Sequence, residues 1–266
     1  MMKMAAIQMC SQANVEQNLS TAKKWIDIAA KKGANYIVLP EYFYYISNNN
    51  NERVLLAEDF LNGPIQHFAS TMALKYNIWL VAGTVPIKSN EPSKFYNSQL
   101  LYSPDGECVD RYDKVHLFAF DNGSESYHES DTMVAGEEIK TFYVEDLSVR
   151  PSTCYDLRFS EFYRLTNGYD LINVPAAFTY TTGVAHWEIL LRSRAIENQC
   201  YLIASAQVGD NSSTLRTFGH SMIIDPWGKV IDCLPEGEGV VYGDLDSSIL
   251  AEIRTQLPAL KNRIFT

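Results

Sequence analysis

The sequence predicts an α/β domain whose large, partly mixed sheets carry helices on their outer faces. Three observations predict it. Short apolar runs alternate with helical segments along the chain, two strand–turn–strand units interrupt that alternation, and no linker, repeat or low-complexity tract divides it. The chain is therefore read as one domain, residues 1–266.

The elements follow in order. Residues 4–9 form a short apolar strand. Asn14 then caps a helix over 15–32, because its side chain can accept from the free N–H groups of the first turn, and Gly33 stops it. Residues 36–39 read as a buried strand ended by Pro40, and Asn48 to Asn51 as a short polar loop. Pro64 opens a second helix at the position where a missing N–H costs nothing. Residues 79–82 are again a strand.

The period then changes. Residues 95–102 and 107–112 flank the turn Ser103-Pro104-Asp105-Gly106, and 221–224 and 229–233 flank Asp225-Pro226-Trp227-Gly228. Both read as β-hairpins. Between them fall a helix at 160–167, a strand at 171–174, a helix at 185–198 and a strand at 201–206. A last helix begins near Ser247.

Composition narrows the function classes. A chain of 266 residues with 46% hydrophobic and 20% charged residues can bury a full core and is not disordered. Its 22 Lys+Arg against 32 Asp+Glu give a net charge of −10, which argues against a nucleic-acid partner or a basic membrane-surface protein. No stretch reads as a signal peptide or a transmembrane helix. The five cysteines are widely spaced with no C-x-x-C pair, and the five histidines show no metal-ligand spacing. That pattern predicts reduced thiols, a cytoplasmic location and no structural metal.

Three short segments carry chemistry. Glu41 follows the apolar strand directly, where open α/β sheets place ligands. Lys114 stands in Arg111-Tyr112-Asp113-Lys114-Val115-His116-Leu117-Phe118, just after the first hairpin. Cys154 opens Cys154-Tyr155-Asp156-Leu157-Arg158-Phe159 at a strand-to-helix junction. Each alone has a bland alternative: a solvated loop glutamate, a surface lysine, a packing cysteine.

Together, in this order, Leu39-Pro40-Glu41, Tyr112-x-Lys114-x-His116-Leu117-Phe118 and Cys154-Tyr155-Asp156-Leu157-Arg158-Phe159 resemble the Glu–Lys–Cys triad of the nitrilase superfamily of carbon–nitrogen hydrolases. Pro175-Ala176-Ala177-Phe178, His186-Trp187-Glu188 and Gly219-His220-Ser221-Met222 match further blocks. The resemblance implies a four-layer α-β-β-α sandwich, assembly as a homodimer or larger oligomer, and no metal or organic cofactor. By the same matching Glu41 is the general base, Lys114 the cation that stabilises the oxyanion and Cys154 the nucleophile. Glu129 aligns with a second family glutamate that orients Lys114, with Glu125 as its competitor. The backbone N–H of Tyr155 is the second oxyanion donor.

The chemistry is sensible for a thiol. An ordinary Glu near 4.3 and Cys near 8.5 leave proton transfer costing about 5–6 kcal/mol in water. Burial and Glu129 should raise Glu41, while Lys114 and a helix N-terminus should favour the thiolate. Arg158 is read either as a clamp for a substrate carboxylate or as a partner of Asp156 or Glu161. Phe43, Tyr44, Phe178 and Thr182 are candidates for the pocket wall, and His116 and His186 for structural hydrogen bonds.

The Cys-Tyr-Asp-Leu-Arg-Phe block resembles the amidase branches of the superfamily. Two of these compete, both acting on a small 2-oxoglutaryl amide; one would release cysteinylglycine and the other ammonia. Arg150-Pro151 departs from the usual strand before the nucleophile and motivates a lesser reading, an impaired binding module. Proline removes a ladder hydrogen bond there. Ser160 stands where proline is common, as a candidate cap for the next helix.

Overall fold

The computed structural model describes residues 1–166 and 168–264. Two sheets stack face to face. The first runs Gly239–Leu245, Met2–Gln8, Tyr36–Val38, Trp79–Val81, Phe95–Tyr102, and both Val85–Lys88 and Cys108–Asp113 also pair with the long strand Phe95–Tyr102. The second runs Val230–Leu234, Ser221–Ile224, Tyr201–Ala206, Leu171–Ala176, Leu147–Pro151, Phe142–Val144. Each mixes parallel and antiparallel pairs: Met2–Gln8 is parallel to Tyr36–Val38 and antiparallel to Gly239–Leu245.

The first strand shows why layers form. Met4 and Ala6 face the second sheet in one core with Ile172, Val174 and Ile203. Ala5 and Ile7 point the other way, into a second core with Ala22, Ile26 and Ala29 of helix Val15–Lys31 and Ala69 and Ala73 of helix Pro64–Tyr76. Side chains alternate along a strand, so an apolar run buried on both faces needs a layer on each. Helix Tyr180–Asn198 covers the second sheet, burying Trp187, Leu191 and Ala195. The result is the four-layer α-β-β-α sandwich.

Local signals explain most boundaries. The Asn14 side chain accepts from Gln17 N at 3.0 Å and starts the first helix as expected. Both hairpins form where the turns predict. Other expectations need correction. The polar loop forms over 48–50, but Asn51, its expected last residue, already opens a short helix, Asn51–Leu55. The helix expected at 185–198 begins at Tyr180, five residues early, because Gly183 is tolerated inside it where the Phe218 ring packs. Ser160 is the first residue of helix Ser160–Arg164, not its cap, which is Phe159; Asn167, the expected end, lies outside the described residues.

The Arg150-Pro151 departure also has a structural reason. Strand Phe142–Val144 pairs only as far as Val149, while Leu171–Ala176 continues alongside Pro151. Ser152 N donates to Asn173 O at 3.1 Å, so alternation turns the Pro151 nitrogen toward the side where the neighbour has ended. Arg150 is fully buried, donates to Lys140 O and Thr166 Oγ1, and stacks over Tyr169 at 5.0 Å.

Candidate active site

The carboxyl ends of these strands bring together residues separated by more than a hundred positions. Glu41 follows strand Tyr36–Val38. Gly83, at φ +48°, sits against Leu39 and Pro40 so closely that any Cβ would meet the Pro40 carbonyl oxygen. Tyr42 N donates to Thr84 Oγ1 at 3.0 Å, and Gln207 Nε2 donates to Glu41 O at 3.0 Å. The backbone is thus held on two sides before the side chain is considered.

The Glu41 carboxylate is buried and has three partners. Its Oε1 accepts from Asn97 Nδ2 and Lys114 Nζ, both at 2.9 Å, and its Oε2 from Ala177 N at 2.9 Å. Lys114 leaves strand Cys108–Asp113, its N–H donating to Asn97 O at 3.1 Å. Its ammonium also donates to both oxygens of Glu129, at 2.9 and 2.8 Å. Glu129 accepts in addition from Tyr42 Oη at 2.6 Å and Phe118 N at 2.7 Å. Glu125 does not reach this network; it accepts from Thr181 Oγ1 at 2.9 Å.

Cys154 opens the 3-10 turn Cys154–Arg158 in a left-handed backbone conformation, φ +46°. Such a conformation costs a non-glycine residue about 1–3 kcal/mol and persists only when its surroundings hold it. Asp156 supplies that hold. It is fully buried and accepts from Thr153 N at 2.8 Å, Tyr112 Oη at 2.6 Å and His116 N at 3.0 Å. His116 Nδ1 lies 2.7 Å from Asp156 Oδ1, and its ring stacks on Phe159 at 3.7 Å. His116 is therefore a brace for the turn.

The charges are unequal by construction. Burial, reinforced by the Glu129 charge, raises the pKa of Glu41 even though Lys114 opposes it. Burial also pushes Glu129 upward, yet its pKa ends below the ordinary value, because Lys114 and its hydrogen bonds outweigh that push. Burial lowers Lys114, but the two carboxylates more than reverse this and keep it protonated. The expected lowering of Cys154 is not found. Burial and then the Glu41 charge raise it well above its ordinary value, with Lys114 opposing. Burial thus favours the neutral thiol over the thiolate.

Glu41, Glu129 and Cys154 open onto a cavity of about 520 Å³. Phe178 and Thr182 line it, as expected, with Phe178 packed on Trp187 at 4.9 Å and the Thr182 hydroxyl 2.8 Å from Thr179 Oγ1. Tyr155 and Arg158 line it too. Arg158 is not paired with Asp156, which is saturated elsewhere, or with Glu161. Its Nη1 lies 3.2 Å from His186 Nδ1, and its guanidinium stacks over Phe178 at 5.0 Å.

Tyr44 is not on this wall. Both it and Phe43 are fully buried in the core under the first sheet, with rings edge to face at 6.1 Å. Tyr42 faces the cavity instead, since its left-handed backbone, φ +55°, breaks the strand alternation after Glu41. Sequence reasoning also missed Asn97, whose signal was the polar run Asn97-Ser98-Gln99 between aromatic and leucine residues of one strand, and Arg53, which carried no signal in its polar surroundings. Among the described residues no group of three or more His, Cys, Asp or Glu could hold a metal ion. No described helix is long and apolar enough to cross a membrane.

A four-layer sandwich with a buried thiol, a paired lysine and two carboxylates at one cavity defines a hydrolase of carbon–nitrogen bonds. The family model described as carbon-nitrogen hydrolase matches residues 3–255, and the chain belongs to that family. It is 39% identical to a deaminated glutathione amidase of a Synechocystis strain, over 98% of this chain and 97% of that protein. It is 34% identical to mouse omega-amidase NIT2, over 98% and 94% of the two chains. The crystal structure of Saccharomyces cerevisiae Nit3, described as a member of branch 10 of the nitrilase superfamily, superposes with a TM-score of 0.89 at 31% identity, over 99% and 97% of the two chains. The chain is an amidase.

Proposed function

We propose that this amidase hydrolyses a small carboxylated amide through a thioester on Cys154, with deaminated glutathione as substrate. The observation that carries the reading is the ammonium of Lys114 held between Glu41 and Glu129 beside the thiol. Ionised Glu41 takes the proton from Cys154 as sulfur attacks the amide carbonyl. Lys114 and the N–H of Tyr155, in the first turn where helical N–H groups lack helical acceptors, stabilise the oxyanion. Protonated Glu41 then gives its proton to the nitrogen, the C–N bond breaks and the amine leaves. Water attacks the thioester, Glu41 accepts its proton, and C–S cleavage restores the thiol with that same proton. Glu129 keeps Lys114 in place and charged throughout.

Arg158 is the proposed partner of the substrate carboxylate, with Phe178 and Thr182 beside it. Similarity to the Synechocystis protein supports deaminated glutathione, whose hydrolysis gives 2-oxoglutarate and cysteinylglycine. α-Ketoglutaramate, which gives the same acyl-enzyme and releases ammonia, is the second reading, supported by the similarity to omega-amidase. Residues 1–266 are proposed to act as one domain. Exposed Val184, Ile189 and Ile196 on helix Tyr180–Asn198 support a homodimer or larger assembly. The free cysteines suit a reducing, cytoplasmic setting.

The test is release of 2-oxoglutarate from both amides, with Cys154→Ala as control. Preference for deaminated glutathione, lost in the variant, is the expected result. Preference for α-ketoglutaramate moves the substrate to the second reading. Turnover of neither overturns both.

A further inference from the structure

The cavity holds a second guanidinium that the proposed chemistry does not use. Arg53 lies on helix Asn51–Leu55, is only 6% exposed, and lines the same cavity as Glu41, Cys154 and Arg158. Its guanidinium carbon lies over the Tyr42 ring, 4.1 Å from the centroid. Among the described residues it makes no ion pair, and its hydrogen bond is from Nη2 to Asn50 Oδ1 at 2.7 Å. Its Nε is buried without any partner.

That is unusual within this molecule. Buried Lys114 has two carboxylates, and buried Arg194 has Glu197 at 2.7 Å. Fully buried Arg150 also lacks a carboxylate and has an unpartnered Nε, but it spends both of its terminal nitrogens on Lys140 O and Thr166 Oγ1 and does not line the cavity. A buried cation without a counter-charge is costly, and a planar fork with free donors is shaped for a carboxylate. Arg53 and Arg158 come from different elements, one after Glu41 and the other after Cys154. Among the described residues neither has an acid as partner.

We infer that Arg53 is a second carboxylate-binding residue of the cavity, so that the site takes molecules carrying a carboxylate at each end. This rests on the amidase reading and sharpens it. The favoured substrates are amides with one carboxylate on the acyl side and another on the amine side. An amide with a single carboxylate leaves one guanidinium unpaired.

The test need not depend on turnover. Straight-chain α,ω-dicarboxylates and monocarboxylates of matched length are compared as protectants of Cys154 against iodoacetamide. Thermal melting with the same acids gives a second readout. For the wild-type chain, the best diacid should act at a concentration about tenfold or more below its matched monoacid, the worth of one charge-assisted pair. Arg53→Met should erase that preference while melting cooperatively, and Arg53→Lys should keep part of it. Equal action of diacids and monoacids on the wild-type chain, or an unaltered preference in Arg53→Met, overturns the inference. A diacid preference without amide hydrolysis would sink the amidase substrate reading and leave the second site standing. Amide hydrolysis without that preference would do the reverse.

Discussion

Glu129 holds the ammonium of Lys114 with both carboxylate oxygens, at 2.9 and 2.8 Å, whereas Glu41 offers it one. The shared cation therefore counts more for Glu129. Glu129 stays ionised below the ordinary range and Glu41 is left with a raised pKa. Two carboxylates about one lysine are split into a permanent counter-ion and a group that can give and take a proton.

Replacing Glu129 with Gln tests that split. The charge that helps raise Glu41 disappears, and Lys114 turns wholly toward Glu41, so both changes lower the Glu41 pKa. The acid limb of the kcat/KM profile should move to lower pH, and kcat should fall about 10²–10³-fold as the lysine loses its fixed position. A full pH–rate profile checks both. A limb that stays in place would sink the coupling.

Glu41 should also be a liability to stability. Its folded pKa lies above its ordinary value, so the folded state binds this proton more tightly than the unfolded chain. Ionising it as pH rises from about 4.5 through the folded pKa costs stability. Glu41→Gln should therefore melt above wild type at neutral pH, with the gap closing toward pH 4 to 5. Glu129 has the opposite sign: its contribution is present above its ordinary value and is lost as pH falls through its depressed folded pKa. Thermal melts of both variants between pH 3 and 8 read the two signs separately.

Alkylation should single out Cys154 for a reason other than thiolate content. Its thiol is raised by burial, as are those of Cys10, Cys108, Cys200 and Cys233. What sets Cys154 apart is that it shares its cavity with Glu41, a buried carboxylate of raised pKa. At pH 7 iodoacetamide should label it first of the five, by peptide mass mapping. Glu41→Gln should slow that labelling at least tenfold and remove the selectivity. Equal labelling of Cys154 in wild type and variant would exclude base assistance.

Gly83→Ala should harm activity from outside the cavity. At φ +48° an alanine is strained, and its methyl group would meet the carbonyl oxygens of Pro40 and Leu39, the residues that aim Glu41. We expect a loss of about 2–4 kcal/mol in urea unfolding and a kcat at least tenfold lower. Gly123→Ala, where nothing lies within 4 Å, is the control for positive φ alone. Similar losses in both would remove the argument from close approach.

The sandwich was legible where one side chain's neighbours along the chain decide its fate. Alternation placed the strands, Asn14 and Pro64 started their helices, and turn residues located both hairpins. Small ribbons such as Ala119–Asp121 with Ser126–His128 escaped notice, because three exposed or half-buried residues per strand carry no apolar period. The motifs named the residue types that meet at the site. They could not say that Tyr42 and not Tyr44 faces the cavity, since that depends on a left-handed residue after Glu41.

By itself, then, the sequence determined the α/β class through periodicity, while the resemblance carried by its short motifs pointed to the layered sandwich and named Glu41, Lys114 and Cys154 as candidates. The tertiary structure decided which glutamate meets Lys114, where Arg53 and Arg158 point, and which protonation states the buried groups hold. Those outcomes depend on burial and on charges brought together across the fold: Glu41 meets Lys114 from 73 positions away and Ala177 from 136. Desolvation and Coulomb energy act through space, and a linear sequence does not record distance through space.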